Sequence, residues 1–439
     1  MKKIYEHDRL YGSLRHFVKW QFWGAYRRIR YVGRENIPQD GSVIFAPNHC
    51  NALMDALAVL FLDDSQKVFV ARADIFKKPL FKKVLTFLKI MPINRVRDGF
   101  RSVLNTEQTI ENSIEVLNNH VPFCILPEGT HRPMHSLLPM GKGIARIALG
   151  AARGLGEAKH LYIVPVGCEY GDYYRYRSTL VVNVGKPVDI TEYVTAHPEM
   201  TDPELLAGIR DLTGEALRPQ IVWIPDDEDY TATWELCKLE SAPISEYRPV
   251  ERLKANQAAA ARFAALRESA PEKVRKLFDK ALAYRQARLE AKVSDHAVRT
   301  TRPLGAALWR TLVTLLMLPF GLVSCAVSLP GWVMAQAMAS TAKDRSFHNS
   351  LRCGVLIIIW GPLVVLTSIV LFCTVKWYWA LGLLVLANPL ARRTFQWFEE
   401  FRRLASAWRY AFNRSLQRQK EELMNELNGL KVKESKLSI

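Results

Sequence analysis

Between residues 42 and 188, short β-branched and aromatic runs alternate with stretches of helical periodicity. The runs at 42–46, 67–71, 123–126, 162–166 and 180–184 predict buried strands, and 52–62, 80–88, 103–118 and 142–150 predict helices. Such alternation predicts an α/β domain with a largely parallel sheet flanked by helices. Polar loops at the strand ends are then the expected place for chemistry.

The flanking regions have a different pattern. From 10 to 26, aromatics and leucines alternate with Arg15 and Lys19, followed by Arg27 and Arg28. This suits either an amphipathic helix on a membrane surface, basic residues towards anionic headgroups, or an ordinary packing helix. Residues 202–219 read as a helix and 224–229 as an acidic linker. Residues 250–295 read as an α-helical hairpin. Its second helix is expected to open with a capping box at Ser269-Ala270-Pro271-Glu272 and to bury Val274, Leu277, Phe278 and Leu282.

Two apolar stretches follow, 304–340 and 353–390, each longer than the roughly 20 residues a membrane-spanning helix needs. Pro319 and Pro330-Gly331 interrupt the first; Gly361-Pro362 and Lys376 interrupt the second. The linker between them carries Lys343, Arg345 and Arg352, and Arg392-Arg393 follow the second. Positive segments prefer the cytoplasmic side, so two membrane helical hairpins with cytoplasmic ends are expected; the alternative, a single crossing per stretch, would strand the basic linker on the wrong side. Lys376 would then lie at the far interface beside Trp377, Tyr378 and Trp379. Residues 395–430 read as one charged amphipathic helix. The expected organisation is a membrane-surface helix at 1–30, a catalytic-type α/β domain at 31–235 and a helical hairpin at 236–300. Membrane hairpins at 304–340 and 353–390 and a basic C-terminal helix at 391–439 complete it.

The formal charge of +17 implies an acidic partner: nucleic acid, anionic lipid or a phosphorylated metabolite. The apolar stretches favour lipid. Seven dispersed cysteines without a CxxC pair read as reduced thiols facing a cytosol. The basic N-terminus has no unbroken apolar run, so no cleaved signal peptide is expected.

Candidate chemistry concentrates at Pro47-Asn48-His49-Cys50-Asn51-Ala52-Leu53-Met54-Asp55. Six residues along a helix rotate roughly 240°, so His49 and Asp55 cannot face each other on one helix. With His49 in the preceding loop, Asp55 can reach back, fix its tautomer and leave the other ring nitrogen as a base. Pro92-Ile93-Asn94-Arg95 follows an apolar run and offers a permanent cation, with Arg97 close by, suited to phosphate. Leu126-Pro127-Glu128-Gly129-Thr130-His131-Arg132 ends another strand. There Gly129 lets the backbone approach a ligand, Glu128 can accept from hydroxyls and Arg132 can bind phosphate. Ile163-Val164-Pro165-Val166-Gly167 reads as strand packing.

In their order, these blocks resemble the glycerol-phosphate acyltransferase family across residues 31–189, and Tyr31-Val32-Gly33-Arg34-Glu35-Asn36-Ile37-Pro38 resembles that family's lead-in. The resemblance implies an acyltransferase domain with His49 as base and Asp55 as its partner. It implies that Arg95, Glu128, Gly129, Thr130 and Arg132 hold the acceptor, with Lys142 in the following basic turn. It also implies an acyl-CoA or acyl-carrier-protein donor, a glycerol-phosphate acceptor, a phospholipid membrane, and neither metal nor cofactor. Two features depart from the commonest pattern. Five residues rather than four separate His49 from Asp55, which resembles the branch of fungal glycerol-3-phosphate/dihydroxyacetone-phosphate acyltransferases. His131 also intervenes between Thr130 and Arg132.

Three other readings compete. A metal-dependent hydrolase would use His49, Cys50, Glu128, His131 and His135, which lack HExxH or paired-cysteine spacing. A non-enzymatic scaffold binding anionic lipid explains the charge but not the ordered blocks. Nucleic-acid binding lacks any RNP, helix-turn-helix or zinc-finger pattern.

Overall fold

Buried residues from Ser42 to Pro47 make β2 (Gly41–Pro47) an interior strand, paired in parallel on both edges. The computed structural model describes residues 3–93, 101–155 and 159–437. The chain divides into two units: Met1–Ile221 with Asp344–Ser350, and Val222–Lys343 with Leu351–Ile439.

In the first unit the chain runs α1 (Arg9–Ala25), β1 (Tyr26–Val32), β2, α2 (Leu53–Leu60), β3 (Val68–Arg72), α3 (Pro79–Phe87) and β4 (Ile90–Ile93). It continues with α4 (Arg101–Asn118), β5 (Phe123–Cys124), α5 (Lys142–Leu155), β6 (His160–Tyr170), β7 (Ser178–Val184), β8 (Val188–Asp189), α6 (Ile190–Ala196) and α7 (Asp202–Leu217). The sheet order is β1-β7-β6-β2-β5-β3-β4, with β8 on β6. Along that order the pairs are parallel except β6 with β7. This is the largely parallel, helix-flanked α/β sheet the alternation predicts.

Side chains of β2 alternate between two apolar layers. Ile44 and Ala46 enter a core with Ile144, Ala148 and Leu149 of α5 and Ile209 of α7. The other layer holds Phe22 of α1 against Phe61, ring centroids 5.4 Å apart. Strand β1 is an addition to the expected elements. It is an edge strand with three arginines in seven residues, so it has no buried run to announce it. The lead-in block becomes its exit turn. Gly33 sits at φ +76°, where a Cβ would lie 2.1 Å from the Val184 carbonyl oxygen, and Asn36 donates to that carbonyl at 2.9 Å.

The N-terminal helix corrects one expectation. Arg15 does not point outward to headgroups; it is buried and donates to the carbonyls of Leu60, Asp63 and Asp64. Its charge closes the C-terminal end of α2, where unpaired carbonyls favour a cation. Leu10, Trp20 and Trp23 of the same helix stay exposed.

The second unit is helical: α8 (Tyr230–Glu240), α9 (Pro249–Ser269), α10 (Pro271–Glu290), α11 (Pro303–Leu316), α12 (Leu318–Ser340), α13 (His348–Val355, its first three residues in the first unit), α14 (Gly361–Thr374), α15 (Trp377–Phe412) and α16 (Arg414–Leu437). The hairpin at 250–295 forms as α9 and α10, but without the capping box. Helix α9 runs through Ser269, whose hydroxyl donates to Ala265 within its own helix, so Ala270 becomes the joint. The buried face of α10 is Val274, Leu277, Phe278, Ala281 and Tyr284, and Leu282 turns outward.

Of the four expected interruptions in the apolar stretches, Pro330-Gly331 leaves its helix continuous, while Pro319, Gly361-Pro362 and Lys376 each adjoin a helix end or an irregular turn. Helix α12 continues through Pro330-Gly331; the break falls at Met317. A π-helical turn at Leu356–Trp360 precedes Gly361-Pro362. Helix α14 ends before Val375-Lys376, and α15 then packs along it. The end of the second stretch and the start of the tail form one 36-residue helix, Trp377–Phe412, with Asn413 at its C-cap. Asn413 accepts from the backbone N–H of Leu416 at 3.0 Å and caps α16, so the expected helix at 395–430 is two helices.

Candidate active site

The parallel strands β2 and β5 end side by side, and their following loops carry His49 and Glu128. Helix α2 begins at Leu53, so His49 lies in the loop and Asp55 in the first turn. Ala52, at φ 47° and ψ −121°, makes the sharp bend between them. That bend accommodates the five-residue spacing and costs roughly 1–3 kcal/mol of backbone strain.

Asp55 is fully buried yet well provided with donors. Its Oδ2 accepts from the N–H of Cys50 at 2.9 Å and of Asn51 at 2.7 Å, and lies 2.9 Å from His49 Nδ1. Its Oδ1 accepts from the Tyr170 hydroxyl at 2.7 Å. With the oxygens occupied as acceptors, His49 Nδ1 carries the hydrogen and Nε2 carries the lone pair. The imidazole is 17% exposed, enough to meet a ligand. Burial, then the Asp55 charge, pushes the Tyr170 phenol well above its ordinary pKa, so it remains a donor.

The loop is fastened from several sides. Asn48 donates to the Cys168 carbonyl at 3.3 Å and accepts from the Cys168 N–H at 2.6 Å. Glu128 Oε1 accepts from His49 N–H at 2.6 Å, and Oε2 from Leu138 N–H at 2.9 Å. Burial raises the Glu128 pKa, against the lowering pull of those two N–H donors. The Arg132 N–H donates to the His49 carbonyl at 2.9 Å. Thus the two candidate blocks, 79 positions apart at His49 and Glu128, form one double loop.

Residues 28–169 match the family model described as Acyltransferase. This segment is an acyltransferase domain. An uncharacterized acyltransferase of Schizosaccharomyces pombe is 31% identical over 107 residues, 24% of this chain and 16% of that protein. Glycerol-3-phosphate O-acyltransferase 1 of Saccharomyces cerevisiae is 24% identical over 234 residues, 51% of this chain and 30% of that protein. The match thus spans less than a third of either relative. The crystal structure of the 1-acyl-sn-glycerophosphate acyltransferase PlsC from Thermotoga maritima aligns at 22% identity with TM-score 0.36, covering 49% of this chain and 81% of that one.

Within the acyltransferase domain the remaining predicted residues take distinct places. Gly129, at φ +67°, and Thr130 are exposed in the turn beyond Glu128, and nothing lies within 4 Å of a Cβ built on Gly129. Arg132 donates through its guanidinium to Ser136 Oγ at 3.2 Å. Lys142 is exposed at the first residue of α5. Arg95 and Arg97 lie outside the described residues; β4 before them ends at Ile93. Among the residues weighed for a metal site, His135 pairs with Glu169 at 3.0 Å, and Cys50 is buried against Asp55.

Sequence reasoning missed Tyr170, Asn48 as a clamp, and the segment Asp344–Ser350. Asn48 stands beside the candidate base and could have been noticed there. Tyr170 follows a strand read only as packing, 115 positions from the carboxylate it serves.

Proposed function

We propose that this acyltransferase moves a fatty acyl group from a thioester, acyl-CoA or acyl-carrier protein, to a hydroxyl of glycerol-3-phosphate or 1-acyl-glycerol-3-phosphate. This is a phosphatidic-acid-forming step of phospholipid biosynthesis. The observation that carries the reading is the His49–Asp55 pair, with the carboxylate held by two backbone N–H groups and Tyr170. The name of the budding-yeast relative favours a glycerol-phosphate acceptor.

In this mechanism His49 Nε2 takes the proton of the acceptor hydroxyl as its oxygen attacks the thioester carbonyl carbon. A C–O bond forms and the carbonyl becomes an oxyanion. On collapse the C–S bond breaks, and the departing sulfur receives the proton from the His49 imidazolium. Asp55 stabilises that imidazolium through Nδ1–H. The exposed turn at Gly129-Thr130, with Arg95, Arg132 and Lys142, is assigned to the acceptor.

The second unit supports a membrane location. Helix Leu318–Ser340 and the stretch Arg345–Thr374 are long and apolar enough to cross a bilayer by length and composition. Leu304, Leu308, Leu312 and Leu315 recur on one exposed face of α11. We assign the catalytic domain to the cytoplasmic face from the basic residues flanking the apolar stretches.

The test is acyl transfer by detergent-solubilised full-length protein. A labelled long-chain acyl-CoA is offered with glycerol-3-phosphate or lysophosphatidic acid in parallel, and acyl-carrier-protein donor follows if both are silent. His49→Ala is expected to lower kcat by about 10²–10⁴-fold. Silence with every donor and acceptor would overturn the reading; full activity of His49→Ala would discard the base.

A further inference from the structure

The segment Asp344–Ser350 lies between the two apolar stretches in sequence, yet it packs as part of the catalytic unit. Its polar contacts converge on the His49 loop. Helix α2 has Ala52 at its N-cap, which offers no side-chain acceptor, and Ser350 Oγ accepts from Leu53 N–H at 3.2 Å instead. The Ser350 hydroxyl is also 3.4 Å from the Asn51 carbonyl. Asn349 donates to the Tyr173 carbonyl at 2.7 Å, and Asn51 donates to the same carbonyl at 3.1 Å. The guanidinium of Arg345 lies 4.8 Å from the Tyr174 ring centroid.

The outer end of the segment addresses His131, which intervenes in the Glu-Gly-Thr block. Asp344 Oδ2 is 3.0 Å from His131 Nε2, and the Phe347 ring stands edge-on to the imidazole at 4.5 Å. The other Asp344 oxygen accepts from Ser346 N–H at 2.9 Å. His131 itself is edge-on to His49, ring centroids 5.5 Å apart. One ring nitrogen of His131 is thus committed to Asp344, and the ring plane is fixed beside the proposed base.

We propose that His131 is an acceptor-binding residue, contacting the polar part of the glycerol-phosphate acceptor through its second ring nitrogen, and that Asp344 is its positioning residue. The inference rests on the acyl-transfer reading above. A segment lying more than 200 positions beyond the catalytic histidine is then a working part of the acceptor site. Fixing the imidazole in advance removes the ordering cost on acceptor binding.

Asp344 also caps its own short turn, so the discriminating variant is Asp344→Asn. It retains an acceptor for Ser346 N–H and presents an amide in place of the carboxylate that His131 meets. Asp344→Asn, His131→Ala and the double variant are to be compared with wild type in acceptor KM, donor KM, kcat and thermal midpoint. Direct calorimetric binding of glycerol-3-phosphate without donor is measured alongside. The expected result is a tenfold or larger rise in acceptor KM and Kd for each single variant. Donor KM and thermal midpoint should be unchanged, and the double variant should be no worse than His131→Ala. Unchanged acceptor binding, additive losses, or a loss confined to thermal midpoint would overturn the proposal. The calorimetry separates the two failures: wild-type protein that binds acceptor but never turns over sinks the acyl-transfer reading, while variants that bind like wild type sink only this inference. Wild-type protein that neither binds nor turns over sinks both.

Discussion

At the scale of the residue, Tyr170 shows how much of the site depends on a group with no motif. Its hydroxyl supplies the hydrogen bond to Asp55 Oδ1, while backbone N–H groups and His49 occupy Oδ2. Removing it leaves that oxygen with only the weak Cys50 thiol at 3.7 Å. Tyr170→Phe keeps the ring and its packing on Tyr26 and Tyr173. We expect a several-fold fall in kcat with KM little changed, and a stability loss of about 1.5–3 kcal/mol, read by steady-state kinetics and chemical unfolding. The His49–Asp55 pairing was legible in the sequence because residue type and a six-position spacing bound what a loop-plus-helix can do. The one extra residue between His49 and Asp55 was legible as an insertion, but the bend at Ala52 was not.

Among the elements, Glu128 acts as a latch between two loops. Both of its oxygens accept backbone N–H groups, one from His49 and one from Leu138. Its sequence context suggested hydroxyl recognition, and the fold also gives it this internal role. The buried carboxyl has a raised pKa, so its protonated form is the one folding favours. Stability from this group is therefore complete below the ordinary glutamate value of 4.5 and is lost as pH rises through the raised native value. Thermal unfolding of wild type and Glu128→Gln across mildly acidic pH should show wild type losing ground to the variant as pH rises. The expected size is about 1.4 kcal/mol for each pKa unit of displacement. A gap that stays constant with pH would contradict this assignment.

At the scale of the whole molecule, the α/β unit and the helical unit present different surfaces. Apolar side chains are exposed on α11, α12, α14 and α15, including Trp309, Phe320, Ile369, Phe372 and Trp377. Water would make such a surface aggregate, whereas hydrocarbon would not. Full-length protein is expected to remain with the membrane pellet through an alkaline carbonate wash and to be released by detergent. Release by carbonate alone would make it peripheral.

The sequence by itself determined the alternating strands and helices, the apolar stretches and the identity of the dyad. Each of these is written in local periodicity or in a short run of residue types. The tertiary structure decided which distant groups complete them. Sheet order sets β6 beside β2, bringing Tyr170 and Cys168 to the His49 loop. Chain return brings Ser350 to the uncapped start of α2 and Asp344 to His131. These contacts arise from strand pairing and from unsatisfied backbone and side-chain groups seeking partners. Neither has a period that a local reading of the chain can detect.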